Sequence, residues 1–168
     1  MDNSLYQKLV ARIPLFKTLT PKELGAIVEI SKLLKVQKDM QVVKEGSRGG
    51  AMYMLVEGKC RVDKAIPGGP TAKIARIVAP SVFGEMSLID GNPRSASVTT
   101  LTDTVLLQVD LQTFNRLRAG FHPAAFKILR ELARTLCQRL DEKTRRITEF
   151  YKNPKENLQR LQELFNKR

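Results

Sequence analysis

The apolar residues of this chain change their spacing twice. Near the start, Leu5, Leu9 and Ile13 recur every four positions and predict a short helix that ends at Pro14. Thr20-Pro21-Lys22-Glu23 then reads as a helix start, with a capping Thr, Pro at the first helical position and Glu three residues after the cap. Leu24, Ile27, Val28 and the stretch Ile30 to Leu34 follow at mostly helical spacing, which predicts one helix running through them.

From Met40 to Asp110 the pattern becomes one of short strands broken by glycine. Met40 to Val43, Ala51 to Val56, Cys60 to Val62, Lys73 to Val78, Ser97 to Thr99 and Thr104 to Val109 are the expected strands. Glu45-Gly46, Gly49-Gly50, Glu57-Gly58, Pro67-Gly68-Gly69-Pro70 and Gly91-Asn92-Pro93 are the breaks. Many short strands at this spacing predict an antiparallel roll of the jelly-roll type. Asp110 is expected to cap a short helix carrying Leu111, Phe114 and Leu117.

Helical spacing returns at Pro123. Phe126, Leu129, Ala133, Leu136, Leu140, Ile147 and Phe150 form a seam that only Lys143 interrupts. This predicts a long helix that either pairs with a copy of itself or lies over the strands of its own domain. Asn153-Pro154-Lys155-Glu156 restarts a helix by the same capping logic. The expected architecture is therefore α+β: an antiparallel β-roll flanked by N-terminal helices and a long C-terminal helix. Residues 1–122 form the roll and its helices, and 123–168 form a helical lid or dimerisation segment.

Composition narrows the chemistry. The chain has 168 residues and a formal net charge of +12. Residues 1–115 carry a net +4 and residues 116–168 a net +8, so the excess belongs mostly to the helical tail. The tail charge suits a solvated helix face or a docking surface for an acidic partner. His122 is the single histidine, and Cys60 and Cys137 are the only cysteines. That set cannot build a zinc cluster, a His-rich cage of the cupin kind or a Ser-His-Asp triad with histidines to spare. The longest apolar run, Ala51 to Val56, is six residues, far short of the roughly 20 a membrane-spanning helix needs. The N-terminus lacks a secretory h-region, and two distant cysteines fit a reduced, cytoplasmic setting.

The chemistry concentrates in Phe83-Gly84-Glu85-Met86-Ser87-Leu88-Ile89-Asp90-Gly91-Asn92-Pro93-Arg94-Ser95-Ala96-Ser97-Val98. A strand ends at Phe83, and Gly84 allows a tight turn or a close approach to a ligand. A half-turn of helix near Met86 to Ile89 offers free backbone N–H groups, an anion site. Arg94 returns with a planar fork of donors that matches a phosphate, and Glu85 can accept hydrogen bonds from sugar hydroxyls. The plainer alternative is an ion pair of Glu85 with Arg94 across a turn.

This segment closely resembles the phosphate-binding cassette of cyclic nucleotide-binding domains, F-G-E-x-[AS]-L-x-x-x-x-P-R-x-A-x-V. The match falls at Phe83, Gly84, Glu85, Ser87, Leu88, Pro93, Arg94, Ala96 and Val98. Glu45-Gly46 with Met52 to Gly58 resembles the glycine-bounded strand pair of that family, and Ile13 to Phe16 with Leu19 resembles its beginning. The resemblance implies that the chain is not an enzyme and needs no cofactor. It implies that Arg94 binds the exocyclic oxygens of a cyclic phosphate and Glu85 the ribose 2′-hydroxyl. Backbone N–H groups of Gly84, Ser87 and Ala96 would complete the cradle, with Phe83 and Met86 beside it and Leu88 as the apolar hinge toward the C-terminal helices. Ser95 stands where the family varies with the base and leaves the base undecided; cAMP is the expected ligand, with cGMP as the alternative. The long helix would cap the base through the region of Leu136, Arg139 and Leu140; Arg139 and Leu140 do not reproduce the polar adenine contacts of the bacterial catabolite activator. A drifted pocket for a cyclic dinucleotide is a further alternative. A catabolite-activator-like regulator needs a helix-turn-helix module, and about 15 residues after Asn153 are too few for one; a fragment of a longer regulated protein would escape that argument. The downstream protein partner is unknown.

Overall fold

The computed structural model describes residues 3–89 and 92–152 together with Pro154, Leu158 and Gln159. Two short N-terminal helices, α1 (Asn3–Val10) and α2 (Pro21–Glu29), are joined through a 3-10 turn at Pro14–Phe16. The first helix thus closes at Val10, ahead of Pro14. α2 starts as its sequence predicts: the Thr20 hydroxyl accepts from the Glu23 N–H at 3.3 Å, and the Glu23 carboxylate accepts from the Thr20 N–H at 2.7 Å.

The stretch Ile30 to Leu34 does not continue the helix. α2 stops at Glu29, where the Ser31 hydroxyl donates back to the Ile27 carbonyl at 2.6 Å, and the chain turns into β1 (Lys32–Val36). β1 is fixed by a distant partner, β8 (Thr104–Asp110), in antiparallel register from Lys32↔Gln108 to Val36↔Thr104. Between them run β2 (Gln41–Val43), β3 (Ala51–Glu57), β4 (Lys59–Lys64), β5 (Ala72–Val78), β6 (Ser81–Phe83) and β7 (Ser97–Thr100). They form two four-stranded antiparallel sheets, ordered β1-β8-β3-β6 and β2-β7-β4-β5. The roll expected from the spacing of strands and glycines is present.

The first sheet is covered on both faces, which explains the continuous apolar run in β3. Met52, Met54 and Val56 join a core with Val10, Phe16, Ile27 and Phe114 from the helices, while Leu55 joins Val43, Cys60, Phe83, Val98 and Leu106 in a second core. α3 (Leu111–Ala119) follows β8, and α4 runs from Pro123 to Lys152. Asp110 holds the N-cap position of α3, yet its side chain makes no cap bond. Its carboxylate accepts instead from Lys32 Nζ at 2.7 Å and Gln108 Nε2 at 2.6 Å, tying β1 to β8. The His122 ring Nδ1 accepts from the Ala124 N–H at 3.3 Å at the start of α4.

The chain forms two compact units, Met1–Leu132 and Ala133–Arg168. In the first, Ala124, Ala125, Ile128 and Leu132 of α4 are buried in the helix-side core. Two ion pairs reach the same turns: Lys127 to Glu23 at 2.8 Å and Lys17 to Glu131 at 3.7 Å. In the second unit, Arg139, Leu140, Ile147 and Tyr151 are exposed. The helix expected from Asn153 lies largely outside the described residues. Among the described residues no helix is long and apolar enough to cross a membrane.

Candidate functional site

The site is built where β6 ends. Phe83 is buried and stacks on Tyr53 of β3 with ring centroids 5.1 Å apart. Gly84 then takes φ +71°, a left-handed conformation that costs a side-chain-bearing residue energy. A 3-10 turn, Glu85–Leu88, follows directly. It leaves Met86 exposed and buries Leu88 in the cluster that contains Phe114, Ala125, Ile128 and Leu132. One turn thereby links the end of β6 to the core that seats the first part of α4.

Arg94 arrives from the other side. Its backbone pairs with the loop after β2: the Arg94 N–H donates to the Ser47 carbonyl at 2.8 Å, and the Gly46 N–H donates to the Arg94 carbonyl at 2.9 Å. Its guanidinium donates to the Ala51 carbonyl at 2.6 Å and to the Gly84 carbonyl at 3.2 Å, and lies 5.9 Å from the Tyr53 ring centre. A Cβ on Gly84 would stand 2.6 Å from Arg94 Nη1 and 3.2 Å from the Ala51 carbonyl oxygen. Glycine at 84 therefore supplies both the backbone conformation and the space the arginine occupies.

The residues after Arg94 are held by a charged frame. Lys64 Nζ donates to the Glu45 carboxylate at 2.7 Å and to the Ser95 carbonyl at 2.6 Å, and the other Glu45 oxygen accepts from the Ala65 N–H at 2.8 Å. The Glu45 N–H donates to the Ser97 hydroxyl at 2.9 Å. The Lys64 hydrogen bond, then that of Ala65, holds the Glu45 carboxyl below its ordinary range. Ser95 is exposed, and Ala96 and Glu85 are half-buried.

Phe83, Gly84, Glu85, Met86 and Ser87 are thus consecutive on one strand end and turn, and Arg94 is brought back against Gly84. Arg139 belongs to the second unit. Sequence reasoning missed Tyr53, Ala51 and the Glu45–Lys64 pair. Tyr53 could have been flagged by period: alternation in β3 puts it on the face of Leu55, opposite Met52 and Met54. The Ala51 role belongs to a carbonyl, which leaves no mark in the residue type. Among the described residues no three His, Cys, Asp or Glu side chains are grouped to hold a metal.

This geometry, an arginine fork set against a glycine turn at a strand end, can be compared with known proteins. The family model described as the cyclic nucleotide-binding domain matches residues 33–120. The chain belongs to this family. This cyclic nucleotide-binding domain is similar to the CRP-like cAMP-activated global transcriptional regulator of Mycobacterium tuberculosis, at 28% identity over 130 residues, covering 77% of this chain and 58% of the regulator. It is similar to the cAMP-dependent protein kinase regulatory subunit of Aspergillus fumigatus, at 30% identity over 113 residues, covering 67% of this chain and 27% of the subunit. The chain therefore spans only part of either relative's length. Among solved structures, a cyclic nucleotide-binding domain from Methylobacillus flagellatus aligns with a TM-score of 0.74 at 28% identity, covering 88% of this chain and 83% of that one.

Proposed function

We propose that the domain is a non-enzymatic regulatory module that binds cAMP, with cGMP as its competitor, at the turn between Phe83 and Ala96. The observation that carries this reading is Arg94, its guanidinium held on the Ala51 and Gly84 carbonyls against a glycine with no side chain to displace it. In this reading Arg94 pairs with the exocyclic phosphate oxygens, and the Gly84, Ser87 and Ala96 N–H groups donate to the same phosphate. Glu85 accepts from the ribose 2′-hydroxyl. Phe83 and Met86 flank the cradle, and the Ser95 hydroxyl discriminates between bases.

The output is a bias on the C-terminal helix. Leu88 shares one apolar cluster with Ile128 and Leu132, so a ligand that closes the turn favours one setting of α4 over another. We read residues 1–122 as the roll domain and 123–168 as the segment that carries the signal, with Arg139 in the part assigned to the base. The exposed Leu140 and Ile147 suit pairing with a second copy. A cytoplasmic setting fits the two unpaired cysteines.

Calorimetric titration of the full chain with cAMP and with cGMP tests the reading. Arg94→Ala is expected to cost about 2–5 kcal/mol of binding, or roughly 30- to 4,000-fold in Kd. Absence of heat with both nucleotides, or an unchanged Kd in the variant, contradicts it.

A further inference from the structure

We propose that the outer edge of β5 is a docking strand for an acidic, extended peptide segment of a partner protein. β5 is the last strand of its sheet: it pairs with β4 on one side, and among the described residues no strand occupies the other. An unpaired edge presents N–H and C=O groups to any extended chain. At seven residues, this edge is long enough to receive one.

Its side chains specify the guest. Arg61 of β4 stands directly opposite Arg76 of β5, a like-charge pair that is unfavourable without an anion nearby. Arg61 has its anion, because its Nε donates to both Asp63 carboxylate oxygens at 2.8 Å. The Lys73 and Arg76 side chains are exposed and make no hydrogen bond or ion pair among the described residues; Asp63, opposite Lys73 in the register, is engaged by Arg61. Arg61, Lys73 and Arg76 line a depression of about 320 Å³ with Ile74, Ala75 and Leu101. Ile74 and Val78 are 56% and 51% exposed. Cations around an aliphatic floor beside an open edge match a strand that alternates acidic and aliphatic residues. A second copy of this chain added edge to edge would instead bring six such cations onto one ribbon. A nucleic acid would use the charge and leave the open backbone edge and the aliphatic floor unused.

The test titrates the ¹⁵N-labelled full chain with a capped heptapeptide of alternating Glu and Val. The expected result is shift changes and slowed amide exchange centred on β5. Binding should weaken about tenfold or more in Lys73→Glu/Arg76→Glu, with spectral dispersion confirming that the variant folds. It should be lost when alternate peptide nitrogens are N-methylated. The proposal is overturned if β5 does not respond up to millimolar peptide. It is equally overturned if a Lys-Val peptide or the N-methylated peptide binds as well, or if a single-stranded oligonucleotide occupies the face in place of the peptide. No cyclic nucleotide enters the assay, so its outcome is independent of the reading of Arg94.

Discussion

At Gly84 a left-handed backbone and an absent side chain serve the same arginine. Gly84→Ala should therefore act twice: about 1–2 kcal/mol of conformational strain in stability, and displacement of Arg94 Nη1, which lies 2.6 Å from the added carbon. The guanidinium is the movable end of a flexible side chain, so the account expects nucleotide affinity to fall more than stability. Thermal melts paired with calorimetry read the two separately. Glu85 is tested by comparing cAMP with 2′-deoxy-cAMP: the deoxy analogue should bind more weakly to the native chain, and the difference should vanish in Glu85→Ala. The cysteines differ in a checkable way too. Burial pushes the Cys60 thiol up to about 11, whereas Cys137 is exposed, so a thiol reagent should label one site in the folded chain and two after denaturation. At this scale the sequence carried most of what matters, because Gly84, Glu85 and Arg94 lie within eleven residues and announce themselves by type. Tyr53 and Ala51 come from a strand thirty or more positions earlier: the period of β3 gives Tyr53 its face, but nothing local ties either residue to Arg94.

Among the elements, those with local signals were the readable ones. The Thr20–Glu23 box is a four-residue pattern, and it forms as written. Helical spacing carries past Glu29 because nothing in Ile30 to Leu34 forbids a helix; pairing of β1 with β8, about seventy residues away, overrides it. Asp110 stands at the N-cap of α3 without making the cap bond, since Lys32 and Gln108 compete for its carboxylate. The Glu23–Lys127 pair joins α2 to α4 and has a pH signature. The Lys127 hydrogen bond, more than the Thr20 N–H, holds Glu23 below its ordinary 4.5. Because the folded carboxyl is the more acidic, its stabilisation is complete above about 4.5 and is lost as pH falls through the folded value. Lys127→Met should cost about 1–2 kcal/mol at neutral pH. Its Tm should also fall less steeply than the native chain's between pH 5 and 3, read by thermal melts across that range. A slope identical to the native one would remove Lys127 as the cause.

Over the whole molecule, the +12 charge suggests nucleic acid on first sight, and the fold redirects it. Arg94 is half-buried with its guanidinium on the Ala51 and Gly84 carbonyls, and the basic excess otherwise distributes over the tail and over the β4–β5 face. The roll was legible from strand spacing and glycine breaks, whereas the division into two layers, and which face of each strand meets the helices, depended on long-range pairing. If Leu88 links the turn to α4, Leu88→Ala should leave cAMP affinity within a few-fold while reducing the ligand-induced change in amide exchange along residues 123–152. A crystal structure of the full chain with cAMP, read as the distance from the Arg94 guanidinium to the exocyclic phosphate oxygens, decides whether Arg94 is the phosphate partner. The account predicts a paired contact of about 2.7–2.9 Å, with the 2′-hydroxyl on Glu85. A nucleotide bound elsewhere, or one in this site with its phosphate turned away from Arg94, would contradict it.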